Sequence, residues 1–226
     1  MASKREIVLD TETTGLDPGA GHRIVEIGCV ELINHLPTGR TFHQYVNPER
    51  DMPEEAYNIH GLSISFLSEH PVFAAFAEDL AAFLDDCPLV IHNAAFDLGF
   101  LNAELARLDR APLDAARAVD TMLIARQKFP GAQASLDALC RRFEIDNSAR
   151  TKHGALLDAE LLAEVYLELI GAREPSLALS VEEAAPAFQR PAAREARPLR
   201  PHAPSAEERA AHAAFIDRLE NPVWRK

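Results

Sequence analysis

The chain has 226 residues, with 23 Lys and Arg against 35 Asp and Glu, a formal net charge of −12 and 47% hydrophobic residues. This acidity argues against a free-standing basic protein that binds nucleic acid through its overall charge. The length predicts one sizeable domain with an appendage, and the hydrophobic content, sufficient to bury a core, excludes disorder throughout.

Neither a membrane segment nor a disulfide framework is predicted. The apolar runs are far shorter than a bilayer span, and residues 1–6 lack the apolar stretch of a signal peptide. Cys29, Cys87 and Cys140 are odd in number and lack C-x-x-C spacing, so we expect them to be reduced core residues. We therefore expect a soluble, cytoplasmic protein without membrane contact.

Strand-like patterns dominate the first 50 residues. A short apolar run at 7–9 predicts a buried strand, and alternating Ile, Val, Leu and Glu at 24–33 predict a second. A turn at 36–39 is expected to lead into a third strand at 41–46. The chain therefore opens with a β-meander.

Helical and strand patterns alternate after the meander. The elements predicted from apolar spacing are a helix at 71–84, a strand at 89–91 that leads into a helix, a strand at 118–120, a helix from the cap Ser135 to Cys140, and a closing helix at 155–169. The resulting order, βββαβαβα, predicts an α/β fold with a mixed sheet.

Composition changes sharply near residue 172. All ten glycines lie at or before Gly171, and seven of the 15 prolines fall in the last 54 residues. Residues 1–172 carry a net charge of −13, and the remainder carries +1. An Ala-, Pro- and Arg-rich stretch at 182–204 predicts a flexible linker. The predicted parts are a folded domain at 1–172, a segment with the linker at 173–204, and a tail at 205–226.

Two acidic residues follow the first apolar run. Asp10 and Glu12 lie at positions i and i+2 of an extended segment, so both carboxylates face the same side. Paired carboxylates favour a hard cation, although such pairs also occur on solvated strand edges. Their position next to a buried strand favours the metal-binding interpretation, because burying a charge is costly unless another group compensates it.

Two further acids and a histidine lie near helix starts. Asp97 is one helical turn beyond a buried strand, with Asn93 as the expected N-cap, although the helix dipole alone could explain an acid there. Asp158 lies in the first turns of the closing helix. His153, five residues earlier, could not share a helix face with Asp158, so we expect it on the preceding loop, where Gly154 allows a bend.

Three segments together resemble, in order, the three motifs of the DEDDh 3′–5′ exonucleases. The segments are VLDTETTG at 8–15, HNAAFDLGF at 92–100 and HGALLDA at 153–159. The resemblance spans nearly all of residues 5–171 and extends to the proofreading exonucleases of bacterial replicative DNA polymerases. It implies the ribonuclease H-like exonuclease fold, a mixed five-stranded sheet flanked by helices, here with a flexible C-terminal tail.

The resemblance also implies a metal-dependent mechanism. Asp10, Glu12 and Asp158 would hold one divalent ion, Mg²⁺ or Mn²⁺, and Asp10 would bridge to a second. Asp97 would complete the metal environment, and His153 would take a proton from the attacking water. The implied product is a nucleoside 5′-monophosphate released from the 3′ end.

A nucleotide-binding set follows from the same resemblance. The implied substrate is a single-stranded or frayed 3′ end of DNA. The residues expected to hold its terminal nucleotide are Thr13, Thr14, Gly15, Leu16, Ile59, His60 and Phe96. For Leu16, Ile59 and Phe96, ordinary core packing remains an equal alternative.

The tail carries a second, shorter signature. Residues 205–208 form a capping box that predicts a helix to Leu219, and a helix this short is marginal alone. The apolar residues expected to be exposed there as anchors on a partner are Phe215, Ile216, Leu219 and Trp224. By resemblance, this segment tethers the exonuclease to the catalytic subunit of the polymerase; a frayed tail is the alternative.

A second short segment of interest lies upstream of the linker. The segment 174–179, with Leu177 and Leu179, looks like the sliding-clamp peptide of the family. Glu174 stands where that motif usually has Gln, which weakens the expectation.

Three functions remain to be compared. The leading hypothesis is a DNA-proofreading exonuclease. An RNase T-like or oligoribonuclease-like enzyme that trims RNA would share the motifs but lack the tail. A polymerase–clamp adaptor with a vestigial site is disfavoured, because all five catalytic positions are filled.

Overall fold

The computed structural model describes residues 4–148, 150, 152–172, 203–220 and 223. The chain divides into two units, Met1–Leu177 and Ala178–Lys226. Among the described residues, none of the helices combines the length and the hydrophobicity needed to cross a bilayer.

A five-stranded mixed sheet forms the centre of the first unit. Its strands are β1 (Arg5–Thr13), β2 (Ile24–Ile33), β3 (Leu36–Tyr45), β4 (Leu89–Ile91) and β5 (Ala118–Asp120). The spatial order is β3-β2-β1-β4-β5. The β1–β2 and β2–β3 pairs are antiparallel, whereas β4 pairs in parallel with both β1 and β5. The predicted mixed sheet is confirmed, with β1 at its centre.

Helices cover both faces of this sheet. The helices of the first unit are α1 (Glu54–His60), α2 (Ile64–Leu67), α3 (Ala77–Leu84), α4 (Ala94–Arg107), α5 (Thr121–Lys128), α6 (Leu136–Phe143) and α7 (Ala155–Leu169). Short 3₁₀ segments occur at Pro18–Ala20, Phe73–Ala75 and Ala115–Arg117. The observed α7 has the predicted bounds, and Ser135 caps α6 as predicted by accepting a hydrogen bond from the amide of Ala138 at 3.3 Å.

The alternation of side chains along β1 divides the core into two layers. Ile7 and Leu9 are buried with α3 and α4, whereas Val8 is buried with α6 and α7. Successive strand residues point to opposite faces, so the apolar run supplies both layers. The side chains of the next residues, 10–12, continue to alternate between the two faces. Asp10 and Glu12 follow Val8 toward α7, and Thr11 follows Leu9 toward α4.

Gly28 allows α7 to approach the sheet closely. It lies opposite Asp10 in the β1–β2 ladder. A Cβ atom at this position would lie 2.3 Å from the backbone of Ala155 and Leu156, in the first turn of α7. A glycine is therefore required here, because any side chain would push α7 away from the strand that carries Asp10.

The predicted position of the first hairpin turn was wrong. The turn is formed by Asn34 and His35, with φ angles of 50° and 67°, and β3 already begins at Leu36. A two-residue turn of the mirror-image type needs positive φ at both central positions, which Asn tolerates well. Pro37 suggested a turn, but it is accommodated in an edge strand, where a missing N–H is tolerated.

Several helices also differ from the expectation. The single helix predicted at 71–84 is instead a 3₁₀ turn at Phe73–Ala75 followed by α3, with a break at Phe76, whose φ is −127°. Helices α1, α2 and α5 were not predicted. They have four to eight residues, too few for a clear apolar period.

The second unit contains the helix α8 (Ala206–Ile216). Its predicted capping box is confirmed, because Ser205 and Glu208 each accept a hydrogen bond from the other's backbone amide. The helix ends three residues before the expected Leu219. Phe215 is 58% exposed and Leu219 38% exposed.

Not every predicted anchor of the tail is exposed. The expectation that Ile216 is exposed was wrong. It is buried whereas Phe215 is exposed, and the two side chains differ because successive helix residues point about 100° apart. The other anchors of the predicted partner contacts, Leu177, Leu179 and Trp224, lie outside the described residues, as does Glu174.

Replacing Gly28 with Ala should destabilise the protein by about 1–3 kcal/mol, because the new methyl group collides with the backbone of α7. Urea unfolding of purified protein measures the loss. Gly99 provides a matched control, since a Cβ there meets no atom within 4 Å and Ala is the better helix former in α4. Gly99→Ala should be neutral or stabilising by up to about 1 kcal/mol; equal losses in both variants would contradict this account.

Candidate active site

The acidic residues come together near the carboxyl end of β1. Asp10 and Glu12 face α7, where Asp158 lies in the first helical turn. Gly154 is the N-cap residue of α7, so His153 lies on the preceding loop, as predicted. Ligand atoms of Glu12, His153 and Asp158 lie within 4.8 Å of one another. The carboxyl end of the central strand thus brings together groups that are distant in sequence.

Asp97 reaches the same place from the other face of the sheet. It lies in the first turn of α4, and Thr11 donates a hydrogen bond from Oγ1 to its Oδ1 at 2.7 Å. Asp97 is 3% exposed. Because Thr11 stands between Asp10 and Glu12 on the opposite side of β1, the strand connects the two halves of the acidic cluster.

The start of α4 is fixed by Asp120, the last residue of β5. Asn93 occupies the expected N-cap position, but its φ is 68° and its side chain makes no capping hydrogen bond. Asp120 instead accepts from the amides of Asn93 and Ala94 at 3.3 and 3.1 Å. It also accepts from Met122 and Leu123 at the start of α5, and therefore caps two helices.

Burial, reinforced by nearby negative charges, raises the pKa of three of the carboxyl groups. Burial, followed by the charges of Asp158 and Glu26, raises the pKa of Glu12 to about 8. Burial raises the pKa of Asp97 to about 7 despite the bond from Thr11. Burial and the nearby carboxylates also raise the pKa of Asp10 well above its usual range. Such groups favour an added cation, because the cation offsets their repulsion.

Asp158 behaves differently because a cation already contacts it. Burial alone would raise its pKa, but the contacts that it makes with His153 and Arg150 outweigh burial and lower it. Arg150 donates to the two carboxylate oxygens of Asp158 at 2.5 and 2.6 Å and to Asp137 at 2.7 Å. Arg150 was not predicted as a site residue. Its position only three residues before His153 was the one feature of the sequence that pointed to the site.

A cleft of about 710 Å³ opens beside these groups. Its lining includes all five predicted catalytic residues and all seven predicted nucleotide-binding residues, namely Asp10, Glu12, Asp97, His153, Asp158, Thr13, Thr14, Gly15, Leu16, Ile59, His60 and Phe96. Predicted site residues from four separate stretches of sequence therefore border one space.

The residues that line the cleft differ in their solvent exposure and packing. Leu16 is 83% exposed and Ile59 49% exposed, so the core alternative does not apply to them. Phe96 is half-buried, and its ring contacts Phe100 with 5.0 Å between centroids, so it also belongs to the core. His60 is buried and accepts a bond from its own loop, and burial lowers its pKa to about 4. It is therefore neutral near pH 7.

A divalent cation fits this set of groups. Hard cations prefer carboxylate oxygens, and here the buried Glu12 and Asp97 and the half-buried Asp10 all have raised pKa values. The close spacing of Glu12, His153 and Asp158 gives the ion several possible ligands. A buried acidic cluster in a cleft beside a mixed sheet is the arrangement expected of a metal-dependent nuclease.

Comparison with known proteins agrees with this class. A family model described as Exonuclease (RNase_T) matches residues 7–166. The structure is similar to Exonuclease X in complex with 5′-overhanging duplex DNA (TM-score 0.58, 25% identity, covering 74% of this chain and 92% of that one). It also shares its fold with the nuclease domain of 3′hExo, a DEDDh family member bound to rAMP (TM-score 0.66, 20% identity, covering 76% and 94%). Exonucleases of this family depend on divalent metal ions.

Two relatives specify the branch of the family. The DNA polymerase III subunit epsilon of Escherichia coli K12 is 44% identical over an alignment 240 positions long, which covers 99% of this chain and 98% of that protein. The DNA polymerase III subunit epsilon of Rickettsia felis is 58% identical over 177 residues, 77% of each chain. The chain therefore belongs to the DNA polymerase III epsilon subunits within the exonuclease family.

The raised pKa values predict how stability depends on pH without metal. A carboxyl group whose pKa is raised in the folded state stabilises it at low pH, and this contribution is lost as pH rises through the folded-state value. For Asp97 and Glu12 those values are about 7 and about 8. In EDTA, the free energy of unfolding should therefore fall by at least about 1 kcal/mol between pH about 5 and about 8.5.

Urea unfolding across this pH range, with and without saturating Mg²⁺, measures the effect. Mg²⁺ should remove most of the fall, and Glu12→Gln should reduce it in EDTA. Asp158 has the opposite sign, since its lowered pKa contributes stability that is lost on acidification. A stability in EDTA that rises steadily over the same range would contradict the repulsion described here.

Proposed function

We propose that this chain is the 3′–5′ proofreading exonuclease of DNA polymerase III, which removes terminal nucleotides from DNA as nucleoside 5′-monophosphates. The observation that carries the proposal is the meeting of Asp10, Glu12, Asp97 and Asp158 with His153 in one cleft. These residues come from β1, α4 and the start of α7, and they match the three exonuclease motifs in order. The named relatives of the chain support DNA as the substrate.

The carboxylates would hold two divalent ions, Mg²⁺ or Mn²⁺. Asp10, Glu12 and Asp158 are the proposed ligands, and Asp97 completes the environment from the opposite face of β1. When bound, such ions stabilise the charge that develops on the scissile phosphate. The buried carboxylates are well suited to hold them, because β1 and α7 fix their positions before any ligand arrives.

His153 is the proposed general base. It lies on a loop, its side chain is 47% exposed, and its Nδ1 is 3.5 Å from Asp158. Imidazole is the side chain that most often serves as general base near neutral pH. His153 would take a proton from the attacking water while the bond to the 3′ oxygen of the penultimate nucleotide breaks.

The cleft would bind the terminal nucleotide. The segment from Thr13 to Leu16 forms one wall, and Ile59 and His60 form another. Thr13 donates from Oγ1 to the carbonyl of Gly15 at 2.6 Å, which holds the first wall in shape. The exposed Leu16 and Ile59 offer apolar surface to a base, whose unpaired, unstacked form is most available in a single-stranded or frayed 3′ end.

The tail would deliver the exonuclease to its substrate. We propose that the exposed Phe215 and Leu219, together with Trp224, bind the catalytic alpha subunit of DNA polymerase III, and that residues 205–226 act as a tether from the exonuclease domain at 1–172. Leu177 and Leu179 are proposed contacts for the sliding clamp. With these roles, the protein would act in the bacterial cytoplasm, at the replisome.

Asp10→Asn and Glu12→Gln should each reduce release of 5′-mononucleotides from a single-stranded DNA oligonucleotide by at least about 100-fold, because each removes a proposed metal ligand. Gel or chromatographic product analysis with Mg²⁺ measures the rate. Glu6→Gln is a matched control, because Glu6 is buried on the same strand, about 13 Å from Asp10 along the chain. It bonds Tyr166 and should affect stability, not turnover. Full activity in the Asp10 and Glu12 variants would refute the proposal.

Matched DNA and RNA oligonucleotides of one sequence separate proofreading from RNA trimming. We expect the higher rate on DNA, and a clear preference for RNA would favour the RNA-trimming alternative.

The double variant Phe215→Ala with Leu219→Ala should lose most of its binding to the alpha subunit while keeping full nuclease activity, because aromatic and large apolar side chains dominate interface energies. Pull-down and surface plasmon resonance with the full chain measure binding. The exposed Glu207 supplies the control, and Glu207→Gln should bind normally. Unchanged binding in the double variant would refute the proposed tether contacts.

A further inference from the structure

Arg150 contacts the atoms that the proposed reaction needs. Its Nε and Nη2 donate to the two carboxylate oxygens of Asp158, at 2.5 and 2.6 Å. Its Nη2 also lies 2.8 Å from Nδ1 of His153. A guanidinium can only donate, so Nδ1 of His153 accepts this bond. One side chain therefore engages a proposed metal ligand and the proposed general base together.

The contact is buried and geometrically specific. The side chain of Arg150 is 7% exposed and that of Asp158 is 3% exposed. A two-pronged guanidinium–carboxylate pair uses the oxygen lone pairs that a divalent ion would otherwise take. Both cations thus compete for the same carboxylate, and Asp158 cannot present its full set of lone pairs to both.

Arg150 has a second anchor that does not depend on Asp158. Its Nη1 donates to Asp137 at 2.7 Å, and its backbone amide donates to the carbonyl of Asn147 at 3.0 Å. Asn147 in turn donates to Asp137 at 3.1 Å. The side chain of Asp137 is 50% exposed on α6. Arg150 can therefore release Asp158 while keeping these bonds on the α6 side of the cleft.

We propose that Arg150 is an internal counter-ion of the active site, which occupies Asp158 and His153 in the absence of metal and is displaced from Asp158 when divalent ions bind. Arg150 acts through Asp158 and is a positioning residue. Its displacement makes both Asp158 and Nδ1 of His153 available in the same step, so the site becomes competent as it becomes loaded. The inference rests on the proposed metal-dependent function.

A purely structural ion pair makes a different prediction. Arg23 and Glu104 form such a pair, with bonds of 2.6 and 2.8 Å and side chains 14% and 4% exposed. Glu104 lies on α4, about two helical turns beyond Asp97, and outside the cleft lining. Arg23→Gln is therefore a matched control for the loss of a buried arginine.

Calorimetric titration of the full chain with Mn²⁺ alone, at pH about 8.5 and without oxygen, tests the competition. We expect Arg150→Gln to bind Mn²⁺ about tenfold more tightly than the wild type, because the competing cation is gone. Arg23→Gln should bind as the wild type does. Equal or weaker binding by Arg150→Gln would overturn the inference.

Thermal unfolding supplies an independent readout. In EDTA, both arginine variants should have a lower Tm than the wild type. Saturating Mn²⁺ should raise the Tm of Arg150→Gln by more than it raises the Tm of the wild type. The rise in Tm for Arg23→Gln should equal the rise for the wild type. Equal Mn²⁺ shifts in all three proteins would show that Arg150 is only structural.

A conservative variant covers a failure of Arg150→Gln to fold. Arg150→Lys keeps the charge but cannot bond both carboxylate oxygens, so its Mn²⁺ affinity should lie between those of the wild type and Arg150→Gln. Affinity equal to or below the wild type would overturn the inference while leaving the proposed function intact. Absence of Mn²⁺ binding by the wild type would refute both.

Discussion

The crowding of carboxylates with little access to water at the end of β1 is the constraint on which the site depends. Asp10, Glu12 and Asp97 have raised pKa values because burial removes water from groups that also repel one another. A fold that relaxed freely would separate them. The backbone prevents this, because the β1–β2 ladder fixes Asp10 opposite Gly28, and the missing side chain of Gly28 keeps α7 close.

The alternation of β1 extends this constraint to both faces of the sheet. Asp10 meets the α7 side, and Thr11, one residue later, holds Asp97 of α4. Two helices from opposite layers therefore contribute to one site through a single central strand. Asp120 fixes where α4 begins by capping it together with α5, so a residue outside the acidic cluster still determines where Asp97 lies.

Local sequence patterns correctly predicted the structural elements that are determined by residues close together in the chain. The strand at 24–33, the helix at 155–169 and the loop position of His153 followed from alternation, helical spacing and one glycine. The hairpin at Asn34 was misplaced because a proline resembled a turn signal. The bond from Arg150 to Asp158 and the double cap by Asp120 were not predictable, because they join side chains whose proximity is set by tertiary packing.

Charge balance connects the site to the rest of the chain. A phosphodiester anion cannot approach a cluster of carboxylates until cations offset them, and one guanidinium at Asp158 leaves most of that charge uncompensated. Divalent ions would supply the remainder locally, but residues 1–172 carry a formal net charge of −13, which does not attract DNA. Affinity for substrate therefore has to come from being held near a 3′ end. The tether proposed above would meet this need through effective concentration, and would account for an acidic enzyme acting on an acidic polymer.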